Sequence, residues 1–207
     1  MENNTPKILI AVPCMDSVAA QFAQALAMLE KVGSCLVSFV IGSLIYNSRN
    51  DLARQAMKMD CTHILWLDSD MVFPPETLKY LYDEMENTGA DFISGLYFRR
   101  CAPFSPVAFN SLEIKDNKAT WEDYTGELLG LHEVGGVGFG CALMKTDMLL
   151  DMAATYGDFF GPLANVGEDL AFCWRAKETG AEIWCEPTVR VGHIAHVAIW
   201  PGEKPAT

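Results

Sequence analysis

The chain lacks most of the marks that would assign it to a familiar class at once. Its seven cysteines, at positions 14, 35, 61, 101, 141, 173 and 185, are odd in number, scattered and without a CxxC pair. Zinc-ligand spacing is therefore absent, and thiols buried in a reducing compartment are the better reading. No HExxH occurs, so a zinc-protease site is unsupported. Gly136 and Gly138 fill the first two positions of a dinucleotide fingerprint, but Cys141 stands at the third. No stretch has the length and apolarity of a membrane span, and the polar start Met1-Glu2-Asn3-Asn4-Thr5 lacks the form of a signal peptide. A cytoplasmic location is expected. Positive charge is short as well. Fifteen Lys and Arg face 27 Asp and Glu, and the net charge of −12 argues against non-specific nucleic-acid or membrane binding, although a local basic patch is compatible with it. With no internal repeat and no low-complexity linker, the 207 residues read as one domain.

What is present is a regular alternation of short apolar runs and amphipathic segments. Residues 7–12 read as a buried strand closed by Pro13. Ser17 is placed to cap a helix carrying Phe22, Leu26 and Leu29 on one face, with Gly33 ending it. Residues 34–41 and 63–67 read as further strands. Between them lies a helix capped by Asn47 or Ser48, with Leu52, Ala56 and Met59 inward. Pro74-Pro75 opens a third helix with Leu78, Leu81 and Met85 inward, stopped near Gly89, and 91–95 is a fourth strand. Strands and helices alternating at this pace form a doubly wound parallel sheet.

The rhythm then changes. Residues 104–109, 112–115 and 119–123 read as short antiparallel strands, with Asp116-Asn117 as a turn. The glycine-rich run 135–140 is read either as flexible backbone closing over a ligand or as a tight turn with a bulge. A strand at 141–145, helices at 147–155 and 168–179, and strands at 181–185 and 188–191 follow. Pro201, Gly202 and Pro205 mark a loose tail. The expected fold is α/β, with three α/β/α layers, a mostly parallel central sheet and a small antiparallel extension.

The chemistry concentrates in Asp68-Ser69-Asp70. The triplet follows Ile64-Leu65-Trp66-Leu67, at the carboxyl end of a buried strand, where open α/β sheets place ligands. Two carboxylates there are costly unless a cation neutralises them, which points to a divalent metal shared with a phosphorylated ligand. Ser69 is small enough for a ligand to approach closely. Gly167-Glu168-Asp169 opens a helix; the pair serves as first-turn acids suited to the dipole, or as a general base facing an acceptor hydroxyl. His193 and His196 follow the last strand, and His193, directly off the strand, is preferred as a third metal ligand. Arg49 at the head of the second helix is open to a diphosphate, a base or solvent. Arg99-Arg100 is placed to clamp phosphate or an acceptor anion. Trp66, Trp121 and Trp174 read as core; Trp200, in the tail, is the exception.

In order and spacing these marks resemble the GT-A glycosyltransferases, in particular short family 2-like enzymes of bacteria and their phages. The matching residues are Ile8-Leu9-Ile10-Ala11-Val12-Pro13, Arg49-Asn50, Leu65-Trp66-Leu67-Asp68-Ser69-Asp70, Gly167-Glu168-Asp169 and His193, spanning 7 to about 196. The resemblance implies a nucleotide-sugar-binding half over about 7–100, an acceptor and catalytic half over about 101–196, and a flexible tail at 197–207. It implies a donor site of Pro13, Arg49, Asn50, Asp68, Ser69 and Asp70, with Mn2+ or Mg2+ held by Asp68, Asp70 and His193. Asp169 would be the base, with Glu168 beside it. The donor would be a nucleotide-sugar, a UDP-sugar by preference. The acceptor class stays open among glycan, protein, small molecule and, given the family's presence in phages, a hydroxymethylated pyrimidine in DNA, for which Arg99, Arg100 and Lys115 supply local positive charge. A phage-encoded member would act in the host cytoplasm. The QxxRW block usual in the family is missing, and Phe172-Cys173-Trp174-Arg175 does not replace it. Two alternatives accompany this reading. One is a haloacid-dehalogenase-like Mg-dependent phosphatase with Asp68 as nucleophile and Asp70 as acid; the other is a non-catalytic nucleotide-sugar binder.

Overall fold

A computed structural model describes residues 5–42 and 44–195. His196, Trp200 and the tail fall outside these residues. Seven strands form the central sheet: β1 (Lys7–Cys14), β2 (Ser34–Ile41), β3 (His63–Leu67), β5 (Phe92–Leu96), β8 (His132–Glu133), β10 (Cys141–Lys145) and β11 (Ile183–Arg190), in the spatial order β2-β1-β3-β10-β5-β11-β8. The pairs β2–β1, β1–β3 and β5–β11 are parallel. β10 enters antiparallel between β3 and β5, and β8 closes one edge antiparallel. Helices α1 (Ala20–Met28) and α3 (Thr77–Thr88) cover one face. Helices α2 (Ile45–Lys58), α4 (Met148–Tyr156) and α5 (Glu168–Glu178) cover the other.

Strand alternation builds both cores at once. Ile64 and Trp66 of β3 face the α2/α4/α5 layer, while Leu65 and Leu67 face α1 and α3. A strand buried on both sides reads as an unbroken apolar run, as Ile64–Leu67 does. The antiparallel extension consists of β6 (Ala108–Lys115), β7 (Lys118–Asp123) and β9 (Gly136–Val137). Its hairpin turns through Asp116 and Asn117, both at positive φ, as a two-residue turn of matching twist requires. A last small pair, β4 (Met71–Val72) with β12 (Gly192–His193), sits at the end of β3. No described helix is long and apolar enough to cross a membrane.

Several local boundaries differ from the sequence reading. Pro13 does not close β1, which runs on to Cys14. Lys7 O accepts from Thr62 N, so odd-numbered residues of β1 turn their polar groups toward β3. Pairing with β3 ends at Ala11, and the missing N–H of Pro13 therefore falls where no partner strand needs it. Strands 181–185 and 188–191 are one strand, and so are 112–115 and the end of 104–109. In β11, Glu186 turns its buried carboxylate onto the N–H of Thr188 at 2.9 Å where the ladder shifts register around Pro187. Ser17 does not cap α1: its hydroxyl bonds to Asp16, and the helix starts at Ala20. Asn47 and Ser48 lie inside the first turn of α2, whose N-cap is Leu44. Trp66 is core, packed edge-on to Phe139 and Phe160, whereas Trp121 is 45% exposed on β7.

Candidate active site

Asp68, Ser69 and Asp70 make the turn that leaves β3, at the carboxyl end of the parallel strands. Met71 N donates to Asp68 O at 3.1 Å within the turn, and three backbone bonds tie it to its surroundings: Asp68 N donates to Gly140 O at 3.1 Å, Ala19 N to Ser69 O at 3.4 Å, and Ile194 N to Asp70 O at 2.9 Å. The glycine run is what permits this approach. Gly138 and Gly140 have ordinary negative backbone angles, but a Cβ on either would run into Tyr97, and on Gly140 also into Met71. These glycines are packed wall, with Gly136 in β9, rather than a flexible flap.

Each aspartate has its own guanidinium. Arg49, 3% exposed, places Nη2 2.9 and 3.3 Å from the two carboxylate oxygens of Asp68, and its Nε lies 3.8 Å from Glu168 Oε1. Its guanidinium sits over Phe139 at 4.9 Å and near Phe160 at 5.9 Å, a cation–π arrangement in a desolvated pocket. Burial opposes charge on Arg49, but Asp68, Glu168 and Asp169 outweigh it and raise its pKa. Burial pushes the Asp68 carboxyl up to about 6, with Arg49 pulling down and Asp70, Asp169 and Glu168 pushing up. Asp68 still keeps 27% of its side chain open to the cleft.

Asp70 is held differently. Arg100 Nη1 lies 2.7 Å from Asp70 Oδ2, and His193 Nε2 lies 3.5 Å from the same oxygen. Phe98 O is 2.9 Å from His193 Nδ1. A carbonyl can only accept, so Nδ1 donates there, while Nε2 faces Asp70 as a donor when the ring is protonated and is left with its lone pair for a cation when the ring is neutral. Although burial works the other way, the His193 hydrogen bond and the charges of His193 and Arg100 lower the Asp70 pKa; the same bond raises that of His193. Tyr97 packs edge-on to His193 and accepts from Gly140 N at 3.2 Å; burial and the nearby Asp68 raise its pKa, so the hydroxyl stays protonated.

Glu168 and Asp169 lie in the first turn of α5, which Gly167 caps without a side-chain bond. Asp169 Oδ1 accepts from Leu170 N at 2.8 Å, so one oxygen serves the helix end. Its neighbour Glu168 approaches Arg49, and the charge of Asp169 adds to the shifts of Arg49, Asp68 and Tyr97. Asn50 spends its amide on the protein. Its Oδ1 accepts from Phe159 N at 3.2 Å and Phe160 N at 2.9 Å, and its Nδ2 donates to Phe160 O at 2.9 Å. Pro13 is buried in β1. Arg100 is spent on Asp70, and Lys115 lies on the β6–β7 hairpin beside Lys118.

Asp68, Asp70 and His193 do not close into one triad, because Asp68 faces Arg49 while Asp70 faces His193. Among the described residues no three His, Cys, Asp or Glu side chains form a ready metal cage. The Asp70–His193 pair nonetheless suits a hard divalent ion that takes few protein ligands and completes its shell with phosphate oxygens and water. Its histidine is also oriented from behind by a carbonyl, as ligating histidines are. Charge agrees: with the His193 ring neutral, as a ligating imidazole must be, the four carboxylates Asp68, Asp70, Glu168 and Asp169 against the guanidiniums of Arg49 and Arg100 leave two negative charges to be met. Nothing in the sequence marks Tyr97 or Phe160 as site residues, and Phe139 is marked only by the glycines on either side of it. A separate groove of about 550 Å3, lined by His63, Tyr82, Lys145 and Asp147, lies at the opposite end of β3 and holds none of these groups.

A family model described as glycosyl transferase family 2 matches residues 19–152, which include Arg49, Asp68 and Asp70 but stop short of Glu168, Asp169 and His193. Among solved structures, the A197 protein from STIV aligns over 97% of this chain and 100% of its own, at 14% identity and a TM-score of 0.61. GalNAc-T7, crystallised with UDP, GalNAc and Mn2+, aligns over 99% of this chain at 10% identity and a TM-score of 0.64. TarS 1-349 of S. aureus, in complex with UDP-GlcNAc, aligns over 94% at 13% identity and a TM-score of 0.57. The chain spans 46% and 60% of those last two. No curated protein matches the sequence. At such identities the likeness is one of fold, and the fold is GT-A.

Proposed function

The chain belongs to glycosyl transferase family 2, and from that premise we propose that it moves a sugar from a nucleotide-sugar, a UDP-sugar by preference, to a hydroxyl acceptor. The observation that carries this reading is the meeting of Asp70 and His193 at the carboxyl end of β3, 3.5 Å apart, with the ring fixed by Phe98 O. These two side chains would hold Mn2+ or Mg2+, whose charge offsets that building on the departing diphosphate. The pairing in GalNAc-T7 of UDP with Mn2+ on the same fold supports the choice.

The chain's own residues divide the remaining work. Arg49 is too deeply buried to reach a diphosphate; it holds Asp68 and Glu168 in place. Asp68, restrained on one side, offers its open edge to hydroxyl or amide groups of the donor, with Ser69 leaving room beside it. Asn50 and Pro13 support the site from behind rather than touch the donor, Asn50 by pinning the loop whose Phe160 flanks Arg49. Asp169 acts as base. It takes the proton of the acceptor hydroxyl as the new bond to the anomeric carbon forms and the bond to the diphosphate breaks, from opposite faces if the reaction inverts. The phosphatase alternative needs Asp68 as a free nucleophile, and a carboxylate bound through both oxygens to a buried guanidinium is a poor one.

Thermal melts with UDP- and GDP-sugars, with and without Mn2+, test the reading. At a hundredfold excess over Kd a ligand adds about 2.7 kcal/mol, roughly 5–10 °C for a chain of this size. The expected result is a metal-dependent shift with one nucleotide class. Asp169→Asn should keep that shift while turnover falls by about 100-fold or more. A chain stabilised by no nucleotide, or one that hydrolyses a generic phosphate ester with Mg2+, would sink the proposal.

A further inference from the structure

Arg100 and the cation proposed for Asp70 compete for one oxygen. Arg100 Nη1 sits 2.7 Å from Asp70 Oδ2, the same atom that faces His193 Nε2 at 3.5 Å. A cation held by Asp70 and His193 would have to share the Asp70 carboxylate with the guanidinium, and two cations on one carboxylate repel. We infer that Arg100 is a removable counter-charge, occupying Asp70 in the free protein and yielding it when nucleotide arrives, so that metal enters with the nucleotide and not before it. The inference rests on the site reading above and adds an order of binding to it.

The contrast with Arg49 carries the argument. Arg49 is wedged between aromatic rings with its side chain 4% exposed and cannot leave Asp68 without opening the core. Arg100 has 53% of its side chain exposed and lies just beyond β5, on a surface turn closed by Arg99 N donating to Ser105 O. Exposed pairs of this kind are weak, so the side chain can swing away at little cost. A diphosphate offers the guanidinium a better partner than a single carboxylate oxygen, since the planar fork can bond two phosphate oxygens at once. Nucleotide thus removes the obstacle while supplying further ligands, and the two bind with positive coupling.

Titration of Mn2+, followed by the loss of the free-ion electron paramagnetic resonance signal, reads this directly with no turnover required. The unaltered protein should bind Mn2+ weakly alone and much more tightly with UDP. Arg100→Gln should tighten Mn2+ binding without UDP by roughly fivefold, the range of an exposed pair, and should shrink the gain that UDP brings. Arg99→Gln removes the same charge one residue away and should do neither. Where Mn2+ binds tightly with UDP, an affinity without UDP that Arg100→Gln leaves unaltered, or that Arg99→Gln shifts equally, overturns the inference while the site reading stands. Absence of Mn2+ binding in every arm overturns both.

Discussion

Replacing Arg49 by Met tests how the carboxylates of this site are held. Arg49 is 3% exposed, bonded to Asp68 at 2.9 Å and within 3.8 Å of Glu168. Removing one partner of a fully buried pair typically costs about 3–5 kcal/mol, because the other charge is left uncompensated. Two features of the structure reduce that figure. Nε and Nη1 of Arg49 have no hydrogen-bond partner, and each such buried group already costs about 1–3 kcal/mol, which Met would relieve. Asp68 also keeps 27% of its side chain open, so water can take over part of the guanidinium's role. A net loss of about 2 kcal/mol is expected at pH 8, seen as a fall of about 1 M in the urea midpoint. The loss should also depend on pH. Burial already sets the Asp68 carboxyl at about 6 against an ordinary 3.8, and losing Arg49, which pulls it down, raises it further. A folded-state pKa above the unfolded one means that the folded state binds the proton first, so stability is regained as pH falls through the folded value. Arg49→Met should therefore be less damaging at pH 5 than at pH 8. The double variant Arg49→Met with Asp68→Asn should recover most of the loss, with a coupling of about 1 kcal/mol or more. A cost below about 0.5 kcal/mol at pH 8, or an equal cost at both pH values, would refute the account.

Two other perturbations probe the frame beneath the site. Burial, with Lys145 second, lowers His63 to about 4 from an ordinary 6.5. The unfolded chain takes up that proton first, so His63 contributes full stability above pH 6.5 and loses up to about 3 kcal/mol as pH falls toward 4. Asp68 slopes the opposite way in the same range, so the test is the difference in urea stability between His63→Phe and the unaltered chain at pH 7 and 4.5. An unchanged difference would count against it. Asn50→Ala removes three buried bonds to the Phe159–Phe160 backbone, worth about 2–3 kcal/mol and a melting point lower by roughly 5–10 °C. If the variant melts normally but loses nucleotide affinity, Asn50 is a ligand contact and not a brace.

Much of the fold is legible in the chain because periodicity and turn chemistry are local. Ile64–Leu67 reads as a strand buried on both faces; Leu78, Leu81 and Met85 mark the inner face of α3, and Gly89 ends it in the left-handed conformation. The layered α/β/α plan follows from the alternation of such segments. Other features depend on partners that no local pattern names. That β10 runs antiparallel between β3 and β5 depends on how the chain returns after the β6–β7 hairpin. Pro13 and Pro187 look like breaks until the neighbours of each strand show that the missing N–H has no claimant.

The site divides along the same line. Two carboxylates at the end of a buried apolar strand require positive charge nearby, and residues 64–70 alone determine that much. What supplies the charge was decided by tertiary structure. Arg49 reaches Asp68 from 19 residues away and Arg100 reaches Asp70 from 30, through elements whose approach is set by sheet order and by glycines thin enough to let Tyr97 and Met71 pack against them. Sequence spacing cannot weigh a buried guanidinium against an exposed one, since that difference lies in what packs around each. It is this difference that ties Asp68 to a buried guanidinium and leaves Asp70 to an exposed one beside His193.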